Sequence, residues 1–146
     1  MNESIRKDTN SRILGEKLYT DTDWIYETNY LSDNFETESE VSVDITGSGI
    51  TLYLEKETTL LILVTANIQT SDLGGAIGTL TLKVDATTAT PEIEGTDISG
   101  EPMTGTIHFV TTLAVGSHTF KLQLRSSVPA PVYVTHRRLS IIKLVE

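Results

Sequence analysis

Cysteine is absent from the 146-residue chain, which excludes disulfides and thiolate metal sites and leaves the fold to packing and hydrogen bonds. Nowhere do about eighteen apolar residues follow one another, the length a membrane-spanning helix needs. The opening Met1-Asn-Glu-Ser-Ile-Arg-Lys-Asp-Thr-Asn10 also lacks the apolar run of a signal peptide. The expectation is a soluble chain made in the cytoplasm, complete from Met1, with no membrane partner. Basic residues are scarce, 11 Lys and Arg against 20 Asp and Glu for a net charge of -9. The imbalance is N-terminal: residues 1–57 hold 13 acidic and 5 basic side chains, and residues 58–146 hold 7 and 6. Between Asp21 and Asp44 stand eight carboxylates and no Lys or Arg. Such a surface repels a phosphate backbone, so nucleic acid is not an expected partner. It reads either as a solvated acidic face or as a patch that docks on a basic surface of a larger assembly.

Catalytic patterns are equally scarce. His108, His118 and His136 fall on separate strands or turns, none at metal-ligand spacing with another. Asp21-Thr-Asp23 opens like a calcium loop but lacks that loop's glycine and closing glutamate, so it reads as a turn. Gly47-Ser-Gly49 and Gly74-Gly75 precede no Lys-Ser/Thr and no helical pattern, and both are expected to be turns rather than phosphate cradles. Glu92 and Glu94 share strand parity, as paired carboxylates of a glycosidase do, but lie in a polar stretch without an aromatic platform. No serine sits in a nucleophile elbow. No catalytic, cofactor-binding or metal site is expected, and the chain is not expected to be an enzyme.

Alternation of period two is abundant. Phe120, Leu122 and Leu124 oppose Thr119, Lys121, Gln123 and Arg125, the mark of a half-buried strand. Val115-Gly-Ser117 separates it from the Ile107, Phe109, Thr111, Leu113 run, which predicts a hairpin and a chain that ends in a meander. Upstream, Val41–Ile45, Ile50–Leu54 and Leu80–Val84 alternate in the same way. The turn predicted at Gly47–Gly49 makes the first two of these separate strands. Thr59–Gln69 reads as one long strand whose Leu60-Leu-Ile-Leu-Val64 is apolar on both faces, as where both sides are covered. The polar Ala86–Gly105 stretch is long for a connection and is expected to hold a short edge strand around Glu92–Glu94 or to carry a function. Strands this closely spaced predict an all-β fold, an antiparallel sandwich or jelly roll.

Residues 1–36 show no sustained period yet hold Tyr19, Trp24, Tyr26, Tyr30 and Phe35, five of the nine aromatics. They read as an irregular arm, with a helical turn near Arg12–Leu18, ordered by packing these aromatics on the body or on a neighbour. The division is thus an arm over 1–36 and a jelly-roll domain over 37–146. In the closing strand Leu139, Ile141 and Val145 take one face, Ile142 and Leu144 the other. Something must cover both faces: a second layer of the same subunit, or another subunit with Leu139, Ile141, Ile142 and Leu144 at the interface.

Ala114-Val-Gly-Ser-His-Thr-Phe-Lys-Leu-Gln-Leu, followed by Val132-Tyr-Val-Thr-His-Arg-Arg-Leu-Ser-Ile-Ile, resembles the last strands of small trimeric jelly-roll domains of the TNF and C1q group. It is most similar to the versions in tailed-bacteriophage virion proteins. Over roughly residues 37–146 the resemblance implies a homotrimer, localisation in the virion and a capsid decoration (cement) or head-fibre role. The implied partners are other copies of the chain and the major capsid protein or another virion protein. The resemblance leaves the arm unexplained; the aromatic content of the arm itself makes Tyr19, Trp24, Tyr26, Tyr30 and Phe35 the expected contacts with the shell. The alternatives are a receptor-binding or tail-tip module that recognises a host-surface glycan, and a jelly-roll carbohydrate-active enzyme, which needs a carboxylate pair in an aromatic cleft.

Overall fold

The computed structural model describes residues 25–70, 76–89, 92–96 and 103–144. These form ten strands: β1 Ile25–Leu31, β2 Phe35–Thr37, β3 Val43–Leu54, β4 Thr58–Thr70, β5 Ile77–Val84, β6 Thr87–Thr88, β7 Ile93–Thr96, β8 Met103–Leu113, β9 Gly116–Ser126 and β10 Val132–Lys143. They build two antiparallel sheets. In sheet one the order is β1-β10-β4-β8, with β2 paired beyond β1 along the same edge of β10; in sheet two it is β3-β9-β5-β6, with β7 also on β5. The chain is an all-β antiparallel sandwich of the jelly-roll kind, as the strand pattern predicts.

Inward side chains interdigitate between the sheets. Phe120, Leu122 and Leu124 of β9 with Leu80, Leu82 and Val84 of β5 pack against Leu60, Ile62, Val64 and Ile68 of β4 and Val132, Val134, Leu139 and Ile141 of β10. Each large aliphatic side chain removed from water contributes about 1.5–3 kcal/mol. β8 passes close to β7: a Cβ placed on Gly105 would overlap Ile93 Cγ2. Gly105→Ala is therefore expected to lower stability by about 1–3 kcal/mol, as overpacking does, read from the urea midpoint at matched protein concentration.

Several expectations change. β8 and β9 do not form a hairpin: β8 pairs with β4 in sheet one and β9 with β3 and β5 in sheet two. From β3 to β10 the long strands alternate between the two sheets, so the chain ends by crossing the sandwich and not in a meander. A two-residue link at Ala114–Val115 serves a crossing between layers as well as a turn within one. Gly47-Ser-Gly49 is not a turn between two strands but a bulge inside the single strand β3, where the register on β9 shifts between Asp44 and Gly49 and Gly47 takes φ +79. A side chain with a Cβ rarely adopts that conformation, which is why glycine stands there. Residues 25–36, expected in the arm, contain β1 and β2, both paired with β10. The expected helical turn near Arg12–Leu18 and the turn at Gly74-Gly75 lie outside the described residues. The expected edge strand near Glu92–Glu94 is β7.

β10 carries a second bulge. Its register on β4 shifts between Thr135 and Arg138, with His136 at φ 47. Before the bulge even-numbered residues face the core; after it odd-numbered ones do. This turns Arg137 inward, where it is 1% exposed. The guanidinium donates from Nε to Ser48 Oγ, from Nη1 to Asp33 O at 2.9 Å and from Nη2 to Thr46 O at 3.3 Å, with Asp33 Oδ1 3.1 Å from Nη2. Asn29 Nδ2 adds donations to Gly47 O at 2.9 Å and Gly49 O at 3.0 Å. Two side chains of sheet one thus satisfy the backbone that the β3 bulge frees from its ladder.

Candidate assembly interface

The outer faces of the two sheets differ in chemistry. On sheet two, Lys121 Nζ lies 3.2 Å from Asp44 Oδ2, Gln123 Nε2 donates to Asp44 Oδ1 at 2.7 Å, Arg125 Nη1 lies 3.3 Å from Glu92 Oε2, and Thr81 Oγ1 donates to the same oxygen at 2.6 Å. Asp44 is held below the usual carboxylate range by the Gln123 amide first and then by Lys121; Glu92 is held down by the Thr81 hydroxyl first and by Arg125. This is a charge-paired surface, open to water at Asp44 and partly shielded where Glu92 lies over the buried Thr81.

Sheet one presents a different outer face. Register places Ile142, Leu61 and Val110 in one row across β10, β4 and β8, and Ser140, Leu63 and His108 in the next. Val110 is 58% exposed and Leu144, just past β10, 36%; Leu61, Leu63 and Ile142 are half-buried. Polar side-chain pairs surround them: Thr59 with Thr112 at 2.8 Å, Thr28 Oγ1 donating to Ser140 Oγ at 3.3 Å, and Thr104 Oγ1 donating to the Asn67 amide Oδ1 at 2.8 Å. Arg138 stacks over the Tyr30 ring at 4.7 Å. Among the described residues, no carboxylate stands on β10, β4 or β8, so the charge this face carries is positive, that of Arg138. β8 is an edge strand without Lys, Asp, Glu or Pro, so it lacks the usual defences against pairing with another chain.

The expected interface residues separate here. Ile142 and Leu144 lie on this face. Leu139 and Ile141 do not: both are fully buried in the sandwich core, so they offer no surface to a second subunit, because the His136 bulge fixes them inward. A second layer of the same subunit thus covers the Leu139 and Ile141 side of the closing strand. Of the aromatics expected to contact the shell, Tyr30 is 46% exposed beside Arg138, whereas Phe35 is partly buried against the chain's own core. Tyr26 belongs to β1; Tyr19 and Trp24 lie outside the described residues. The sequence pattern does not bring Leu61, Leu63, His108 and Val110 onto one face; its only signal is the doubly apolar Leu60–Val64 run, which puts Leu61 and Leu63 opposite the core side of β4. Among the described residues no group of three or more His, Asp or Glu is placed to hold a metal.

No family model and no curated protein sequence matches the chain. Solved structures do. Eiger TNF from S. frugiperda aligns with a TM-score of 0.51 at 11% identity, over 84% of this chain and 94% of that one. The likeness is one of fold, a jelly roll. The PRD1 vertex protein P5 aligns at TM-score 0.47 and 15% identity, over 80% of this chain and 97% of its own. Dimeric latent PorU from Porphyromonas gingivalis aligns at TM-score 0.46 and 10% identity; 79% of this chain is covered, but it spans only 13% of that protein's length.

Proposed function

We propose that the chain is a non-enzymatic structural protein of a virus particle: a homotrimer joined through the outer face of sheet one, which decorates the capsid of a tailed bacteriophage and stabilises its shell. It uses no cofactor, and its partners are its own copies and the major capsid protein. What supports self-association is the contrast between the two outer faces, one carrying the ion pairs of Asp44 and Glu92, the other a row of Ile142, Leu61 and Val110 without a carboxylate on its central strands. An apolar face of this kind lowers its free energy by leaving water, and a closed symmetric oligomer does so without forming a filament. The closing-strand resemblance supports three copies and the phage particle.

Light scattering on the purified protein is expected to give the mass of three chains. Bound to particles that lack it, the protein is expected to raise their melting temperature, because a ligand that binds the assembled shell better than its parts stabilises the shell through mass action. Identical melting with and without saturating protein would defeat the cement role. A few copies confined to the tail would favour host-glycan recognition instead.

A further inference from the structure

His118 is the third residue of β9, with its side chain on the core side of sheet two, opposite Leu52 of β3, and 13% of it is exposed. Both of its ring nitrogens meet oxygen acceptors: Nδ1 lies 2.8 Å from Asp85 Oδ2 and Nε2 lies 2.7 Å from Ala114 O. Asp85 is the first residue of the β5–β6 turn, at φ 55. It is tied to β9 twice more, its N–H donating to Thr119 O at 2.7 Å and its Oδ1 accepting from Thr119 N–H at 2.9 Å. Ala114 belongs to the crossing from β8 to β9. One imidazole thus joins two turns at the same end of the sandwich.

We propose that His118 and Asp85 form a proton-operated clasp, closed while the imidazole donates from both ring nitrogens and released when the ring loses one of those protons. A neutral imidazole has a single N–H. In that state either the carboxylate or the Ala114 carbonyl faces a ring lone pair at hydrogen-bond distance, and one contact must open. The charges around the ring favour the doubly protonated form. Leu52 and Leu54 of β3, Val84 of β5 and Leu113 of β8, the core-side residues at this end, carry none. Lys83 and Lys121 stand on the opposite face of sheet two, and Glu55, Lys56 and Glu57 lie out in the exposed β3–β4 turn. Asp85 is the charged group that acts on the ring: its hydrogen bond first, then the Ala114 carbonyl, holds His118 above the ordinary histidine value, while His118 first and Thr119 second hold Asp85 below the ordinary carboxylate value.

The sign follows from linkage. The His118 contribution is complete below its ordinary value of 6.5 and is lost as pH climbs through the raised value. The Asp85 contribution is complete above 3.8 and is lost as pH falls through the lowered value. The clasp is therefore fully closed between those two ordinary values and opens on the alkaline side through histidine.

NMR titration of the full-length protein from about pH 5 to 10 spans the transition, with the His118 Cε1 proton assigned by its loss in His118→Gln. Three results are expected: a His118 midpoint above 6.5; a lower midpoint in Asp85→Asn, which keeps the size of the turn residue and tolerates its positive φ; and a fall in Thr119 and Asp85 amide protection, relative to β4 amides, as pH crosses the midpoint. The opening equilibrium should change by about tenfold for each pH unit that the folded midpoint exceeds the unfolded one. A wild-type midpoint at or below 6.5, or one that Asp85→Asn leaves in place, overturns the clasp. If His118→Gln does not fold, Asp85→Asn alone decides, because its readout is the histidine itself.

Discussion

Arg137→Met is expected to unfold at a lower urea concentration than the wild type, with a loss of about 2–4 kcal/mol at matched protomer concentration. The arginine is 1% exposed and is held by Ser48 Oγ, Asp33 O and Thr46 O, with the Asp33 carboxylate beside it. Methionine keeps much of the stem's volume but donates nothing, so Ser48, itself 3% exposed, loses the partner that replaces water. The loss stays at a few kcal/mol because Asp33 is 66% exposed, so its carboxylate regains solvent when the guanidinium goes, and because relief of the buried charge offsets part of it. Arg137→Lys should fall between the two, since an ammonium has three donors but on a single nitrogen and does not span the oxygens that Nε, Nη1 and Nη2 reach separately. Adding Ser48→Ala to Arg137→Met should cost less than the sum of the single changes, the coupling expected of residues in contact. A loss under about 1 kcal/mol for Arg137→Met would mean that the two bulges are held by the ladder and Asn29 without need of the guanidinium.

Val110→Asp is expected to convert the proposed trimer into folded monomers. At 58% exposure in the single chain, Val110 can become aspartate with its carboxylate in water, so the sandwich should survive with unchanged circular dichroism. In the assembly the same carboxylate would be buried beside Leu61 and Ile142 without a cation, which costs several kcal/mol for each ion. A penalty of about 4 kcal/mol is already a thousandfold in dissociation constant, enough to move a micromolar sample from assembled to dissociated. Tyr53→Asp is the matched control: Tyr53 is 64% exposed, but on β3 of sheet two. Light scattering should give one chain's mass for Val110→Asp and an unchanged mass for Tyr53→Asp. The reverse pattern would place the interface on sheet two, and a wild-type protein that is monomeric at micromolar concentration would remove it altogether.

Alternation of period two is a local property, written into the chain by which residues water rejects. It is enough to recognise β4, β5, β8, β9 and β10 as strands and to make the domain an all-β sandwich. It could not say which strands pair. A short link between two alternating runs looks alike whether it closes a hairpin or crosses between layers, so the link at Ala114–Val115 misled. β1 was hidden for a related reason: Ile25-Tyr-Glu-Thr-Asn-Tyr-Leu31 is an edge strand that opens with a bulge between Ile25 and Glu27, and its stability comes from the β10 ladder and not from its own pattern. Bulges decided the rest. One extra residue at His136 inverts the facing of everything after it. That sends Leu139 and Ile141 to the core, leaves Ile142 outside, and buries an arginine that composition alone assigns to the surface. The register that brings Leu61, Val110 and Ile142 into one row, like the meeting of His118 with Asp85 across 33 residues of chain, depends on long-range pairing and not on local preference. The free energy that selects it comes from closing two sheets over one core, a sum no short stretch of sequence contains.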